Sequence, residues 1–352
     1  MRLHAITTGA AVAIIAGIGA AMAQAPPPTT VDGLLSAAKV AAGLDWSGTF
    51  LRLCVPPPAA PGGGRGAAAG GAGGAAAPAG GRGAAGGARG GAPAAPARET
   101  WYAQPAKVAD NLYFLGTKIH NAWALVGSDG IIVLEALFDY AAPDEVMGGM
   151  KQLGLDPQKV KYIIISHAHA DHDGGARFLQ DSLPTAHLAY GAPDWDAVDR
   201  AANHAGGKPK RDVVATDGMR FSVGDASLQV VTTPGHTPGT ISFLFEAKDN
   251  GKPLRVAYVG GTAIPFDGSA AYYDGYIASV RKMARAAADF GATALMSNHT
   301  ECDNAYYKAH TAANRKPGDP NPFDVGRTAV SQYFMVVEDC ATAAKLRATS
   351  KM

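Results

Sequence analysis

From residue 99 onward, short apolar runs punctuated by Gly, Pro and Asp alternate with stretches of helical period. Runs at 112–114, 122–126, 131–134, 160–165 and 187–190 predict strands, and a second set is expected at 213–215, 228–232, 241–245, 255–259 and 293–296. Apolar positions recur at helical spacing in 143–153, 175–179, 192–202, 276–290 and 326–347. This alternation is how sheets covered by helices look in sequence, and two sheets with outer helices use every run. Ahead of that region, Leu34, Leu35, Ala38, Ala41 and Leu44 fall at roughly helical period and are followed by Trp46, Phe50 and Leu51. Residues 24–55 are therefore expected to fold back on a main domain at 99–348.

Between them, residues 56–98 are almost pure Gly, Ala and Pro with Arg65, Arg82 and Arg89. Lacking the large apolar side chains that offset the entropy of ordering, this insert is expected to be disordered. Three isolated arginines fit a soluble linker better than a nucleic-acid-binding tract. The formal charge of +1 leaves no global field to steer the chain toward nucleic acid, so a small-molecule substrate is the expected partner. Residues 1–23 read as a secretory signal, with Arg2, an apolar stretch at 10–21 and the small-x-small site Ala21-Met22-Ala23. That stretch is short for a bilayer, so the expectation is cleavage, a periplasmic or secreted protein and no stable membrane insertion afterwards, with an uncleaved anchor as the alternative. Two of the three cysteines are free to pair in such a compartment; Cys302 with Cys340 is the favoured pair, and Cys54 remains an equal candidate for either place.

The densest chemistry lies at His167-Ala168-His169-Ala170-Asp171-His172, four metal-ligating side chains in six residues directly after the apolar run Tyr162-Ile163-Ile164-Ile165. Imidazole and carboxylate are the ligands zinc takes where a position stays open for water, whereas closed structural sites lean on thiolates. A histidine-rich surface loop without metal would not need this ligand density at a strand end. A second strand-to-loop junction, Pro234-Gly235-His236-Thr237-Pro238-Gly239, carries His236, and a third histidine, His299, follows the apolar run 292–296 after Ser297 and Asn298. Loops gathered on one sheet edge can bring all six side chains together. The remaining histidines of the main domain, His120, His187, His204 and His310, lack ligand spacing; His120 lies in a loop after the first strand and merits attention. Trp101, Tyr272 and Tyr273 are candidates to line a cleft, with packing an equal explanation.

On these motifs the chain from about residue 101 to 347 resembles the metallo-β-lactamase superfamily of metal-dependent hydrolases. Within it the chain is similar to class B, subclass 3 β-lactamases through residues 166–172, 235–239 and 297–299. The resemblance implies an α/β fold, an αββα sandwich of two mixed β-sheets flanked by helices. It implies two Zn2+ ions, one held by His167, His169 and His236 and the other by Asp171, His172 and His299. Many superfamily hydrolases such as glyoxalase II relatives place a bridging aspartate after the strand that here reads 257–262; none stands there, which favours the β-lactamase-like branch. Where subclass 3 enzymes carry serines that help hold the substrate carboxylate, this chain offers Gly261 and Ala263, with Thr262 the nearby hydroxyl and Tyr272 and Tyr273 further substrate-binding candidates. Zinc brings bound water from pKa 15.7 toward about 7, so a metal-bound hydroxide attacks without a protein nucleophile, and Asp171 is expected to orient it. The implied reaction is hydrolysis of a cyclic amide, a β-lactam. The alternatives are a lactone or other ester hydrolase on the same site and, from another class, a zinc-binding module without turnover.

Overall fold

A computed structural model describes residues 28–56 and 95–350. The expected signal segment and nearly all of the expected disordered insert lie outside the described residues. Two mixed sheets face each other. The first has seven strands in the order β1 (Ala106–Lys107), β2 (Leu112–Phe114), β3 (Trp123–Gly127), β4 (Gly130–Leu134), β5 (Val160–Ile164), β6 (His187–Gly191) and β7 (Val213–Ala215). Strands β1 to β4 pair antiparallel and β4 to β7 parallel. The second sheet comprises β8 (Arg220–Val223), β9 (Ala226–Thr232), β10 (Ile241–Asp249), β11 (Lys252–Val259) and β12 (Ala294–Ser297) in the order β12-β11-β10-β9-β8. Only its β11–β12 pair is parallel.

Strands buried on both faces read as unbroken apolar runs, because each face meets a different core. Trp123, Leu125, Ile132, Leu134 and Ile164 point between the sheets to meet Phe243, Phe245, Val256 and Tyr258. Their neighbours Ala124, Ile131, Val133, Ile163 and Ile165 point outward, onto helical residues such as Val146, Met150, Leu179 and Trp195. Leu244, Ala257 and Leu295 back the second sheet onto another helical layer. The helices are α1 (Val31–Ala42), α2 (Ser47–Cys54), α3 (Arg98–Trp101), α4 (Gly149–Gln152), α5 (Ala170–Asp173), α6 (Ala176–Ser182), α7 (Ala192–Arg200), α8 (Ala270–Phe290), α9 (Thr300–Asp303), α10 (Ala305–Ala313) and α11 (Gly326–Thr349). The result is the expected αββα sandwich.

Several elements depart from expectation. Strand β7 joins the first sheet beside β6 rather than opening the second. The helix expected at 276–290 begins earlier, at Ala270, because the Ser269 hydroxyl accepts the amide hydrogen of Tyr272 and caps the first turn. The favoured cysteine pairing is overturned. Cys54 bonds Cys340 with Cα atoms 4.8 Å apart, while Cys302 is buried and free. Helix α2 runs between α11 and α9: it presents Cys54 to α11 and lies with Thr49 over Cys302, whose carbonyl accepts the Thr49 hydroxyl at 2.7 Å. Among the described residues no helix is long and apolar enough to cross a membrane.

Candidate metal centre

Strand directions alone gather the ligand loops. The loop after β5 carries His167 to His172; β4 is parallel to β5 and β3 antiparallel to β4, so the β2–β3 turn with His120 opens at the same edge. Strands β11 and β12 run parallel and β9 runs with them, which brings the loops bearing Gly260, His299 and His236 to a common end of the second sheet. The Ile241 amide donates to the Ser166 carbonyl at 2.9 Å and stitches the two sheets together there.

His167, His169 and His236 form a first group. The ring of His167 donates from Nδ1 to the Gly260 carbonyl at 2.8 Å, and His236 donates from Nδ1 to the Ala263 carbonyl at 2.8 Å. A carbonyl only accepts, so both Nδ1 atoms carry the proton and both Nε2 lone pairs are free. The Nε2 of His167 is buried without a partner. The His236 Nε2 stands 3.1 Å from His169 Nδ1. Two nitrogens about 2.0–2.1 Å from a tetrahedral zinc stand about 3.3 Å apart, so this spacing fits a shared cation. Burial lowers the basicity of all three rings, that of His236 to about 3, and keeps them neutral as a ligand must be. His169 and His236 are only half-buried, so solvent reaches this group.

His120, Asp171 and His299 form a second group beside it, and His172 adjoins Asp171 and His299. The Asp171 Oδ2 atom lies 3.2 Å from His172 Nε2, 3.4 Å from His299 Nε2 and 3.5 Å from His120 Nε2, and the two Nε2 atoms of His172 and His299 are 3.2 Å apart. Burial pushes the Asp171 carboxyl up, but the His172, His299 and His120 imidazoles outweigh it and hold the group ionised, well below the usual carboxylate range. For His172 burial opposes protonation, and the charges of Asp171 and Glu135 overcome it. His120 is pushed down to about 4, chiefly by burial. Sequence spacing missed His120 because its partners lie far along the chain. Of the other histidines, His187 faces Asp212, His204 faces Asp173, and His310 sits edge-on to Tyr306.

Two buried carboxylates hold the loops, and neither was singled out in the sequence. Asp194, in the first turn of α7, accepts from the Ala168 amide at 2.8 Å, the Thr237 hydroxyl at 2.7 Å and the Gly239 amide at 2.9 Å, tying both loops of the first group together. Glu135 accepts from Tyr258 in the opposite sheet at 2.9 Å and from the Ser166 amide at 3.2 Å, and faces His172 Nδ1 at 3.9 Å. It adopts a left-handed backbone, φ 66°, in the turn leading to Phe138 and Tyr140, whose stacked rings adjoin His120. Gly261 is required by close approach: a Cβ there would stand 2.7 Å from that of His236.

The expected substrate contacts need correction. Thr262 is 2% exposed, and its hydroxyl is shared with Ser297 and Tyr333, each at 3.0 Å, so it faces the interior. Tyr273 is fully buried, with its hydroxyl donating to the Pro265 carbonyl. Trp101 is likewise a packing residue, 7% exposed beside Tyr140. Tyr272 is half-buried on the first turn of α8, stacked parallel to Tyr276.

Residues 115–249 match the family model described as the metallo-beta-lactamase superfamily. This stretch is thus similar to that superfamily from the loop before His120 through β10. Curated relatives include a hydroxyacylglutathione hydrolase of Xanthomonas axonopodis pv. citri, 32% identical over 35% of this chain and 41% of that protein. An N-acyl homoserine lactonase, AttM of Agrobacterium fabrum, is 36% identical over 30% of this chain and 43% of its own length. The chain thus spans less than half the length of these relatives. Among solved structures, the subclass B3 metallo-β-lactamase BJP-1 of Bradyrhizobium japonicum is 25% identical with a TM-score of 0.57, covering 68% of this chain and 93% of that one. The metallo-β-lactamase GOB-18 of Elizabethkingia meningoseptica shares the fold at 20% identity and a TM-score of 0.60, over 76% of this chain and all of that one.

Proposed function

We propose that the protein is a zinc-dependent hydrolase that opens the cyclic amide of a β-lactam. The observation that carries the reading is the pair of adjacent donor groups at one sheet edge, the first of them reached by solvent through His169 and His236. Two zinc ions held by His167, His169 and His236 and by Asp171, His172 and His299 would supply Lewis acidity and reactive water at neutral pH. The chain's own part is to present neutral imidazole lone pairs, fixed by the carbonyls of Gly260 and Ala263, and an ionised Asp171 that orients the attacking water. The stacked pair Phe138 and Tyr140 forms an apolar wall beside the second group, and Tyr272 is the remaining candidate of the three expected substrate contacts. Likeness to a subclass B3 enzyme over 93% of its length supports this substrate class, as does the lack of an aspartate in 257–262. The disulfide and the signal-like residues 1–23 support export to an oxidising compartment.

A second reading, hydrolysis of a lactone or other ester, is favoured by the 36% identity to AttM over 30% of this chain. Purified protein reconstituted with zinc is to be assayed on a β-lactam panel beside acyl-homoserine lactones and a glutathione thioester, with and without chelator. Chelator-sensitive β-lactam turnover is the expected result; turnover of only the esters replaces the first reading with the second. Full zinc loading without hydrolysis of any panel leaves a binding module.

A further inference from the structure

We infer that His120 is a fourth side-chain donor to the second cation, so that this site is closed by protein, with one carboxylate and three imidazoles, while the first keeps an open position. The inference rests on the dinuclear reading above and adds a ligand to it. His120 Nε2 stands 3.5 Å from Asp171 Oδ2, against 3.4 Å for His299 and 3.2 Å for His172. The three separations from Asp171 Oδ2 lie close to the edge of a tetrahedron around zinc, about 3.3 Å for ligands at 2.0–2.1 Å. The ligating atoms of His120, Asp171 and His299 all lie within 4.8 Å of one another.

The placement of His120 is built into the backbone. His120 and His299 form an antiparallel bridge between otherwise separate loops. The Asn121 amide donates to the Asn298 carbonyl at 3.0 Å and the Thr300 amide to the Ile119 carbonyl at 2.9 Å, so the two histidine loops are zipped together. Within its own turn the His120 amide donates to the Thr117 hydroxyl at 2.8 Å, and Gly116 permits the tight return, since a Cβ there would stand 2.6 Å from the His120 carbonyl oxygen. The ring is 7% exposed, packs edge-on to Phe138 and makes no hydrogen bond among the described residues. A buried imidazole without a hydrogen-bonding partner, aimed at an ionised carboxylate that two other imidazoles already face, has the surroundings of a ligand. Four protein donors leave a tetrahedral cation no vacant position, which is the hallmark of retention rather than of turnover. The second cation then holds the site together and contributes charge, and substrate exchange belongs to the first.

The test compares the wild-type chain with His120→Ala and with His120→Phe, which keeps the volume. Zinc stoichiometry after dialysis, calorimetric titration with zinc, and the cobalt(II) absorption spectrum are the readouts, with circular dichroism and Tm in the presence of zinc checking the fold. The expected result is two zinc ions per wild-type chain, one tight site unchanged in both variants, and the other weakened by about 10–100-fold with altered cobalt bands. Two sites of wild-type affinity and spectrum in a folded variant overturn the assignment and leave the dinuclear reading intact. Fewer than two zinc ions in the wild-type chain overturn that reading and this inference with it.

Discussion

The two donor groups are neighbours built from the same residue types, yet they sit in opposite environments. Three imidazoles make up the first, two of them half-buried, and its loops are fastened by Asp194 from outside the group. The second surrounds an ionised carboxylate with three imidazoles, all buried, and its loops fasten each other through the His120–His299 bridge. Adjacent lone pairs at similar spacing therefore do not imply similar chemistry. Access to water and the number of donors separate a place for exchange from a place for retention.

The sharpest way to break this contrast is at His167, whose Nε2 has no other use. His167→Ala is expected to lower kcat/KM on any accepted substrate by about a thousandfold, roughly 4 kcal/mol, with one zinc retained at the second group. Equal loss of both ions would show the groups to be one unit. Next, Cys54→Ser removes a cross-link between residues 286 apart and is expected to cost about 3 kcal/mol, read as a fall in Tm that reductant reproduces in the wild-type chain but does not deepen in the variant. Because α2 lies on the turn that follows His299, zinc affinity should fall at the second group and not at the first.

Asp194→Asn keeps the shape but loses acceptor capacity toward three donors; about 2 kcal/mol of stability and a raised zinc dissociation constant at the first group alone are expected from thermal melts and titration. The smallest effect serves as a control far from both groups. Arg315 holds the Asp249 carboxyl below its ordinary 3.8, so the pair stabilises the fold above that pH and the contribution is lost as pH falls through the depressed value. Asp249→Asn should flatten the acid limb of the Tm profile by less than about 1 kcal/mol, the pair being partly exposed, and leave zinc binding untouched.

Much of this was legible before any coordinates. Runs such as Ile131 to Leu134 and Tyr162 to Ile165 announce doubly covered strands because burial on both faces removes the polar alternation. Strands β1 and β8 escaped notice: the first is two residues long, and the second, with Arg220 and Ser222 exposed on one face, carries only two buried side chains. Helix α10 was missed because Ala305, Ala309 and Ala312 provide too weak an apolar stripe to register against its polar neighbours. At the site, His167 to His172 stood out through local density, whereas Asp194 and Glu135 look like ordinary acidic residues in sequence. For Thr262, proximity to the ligand loops along the chain says nothing about which way a hydroxyl turns; here it turns to Ser297 and Tyr333.

By itself the sequence determined the kind of chemistry and the layering: ligand identity is a property of side chains, and the placement of apolar runs is a property of the pleat. Tertiary structure alone decided which cysteine joins Cys340, which hydroxyls are spent in the core, and that His120 stands with Asp171 and His299. The physical reason is distance along the chain. Periodicity reports which face of an element is buried, but the partner across a sandwich is chosen by strand order and loop closure, and neither leaves a local mark on the residues they bring together.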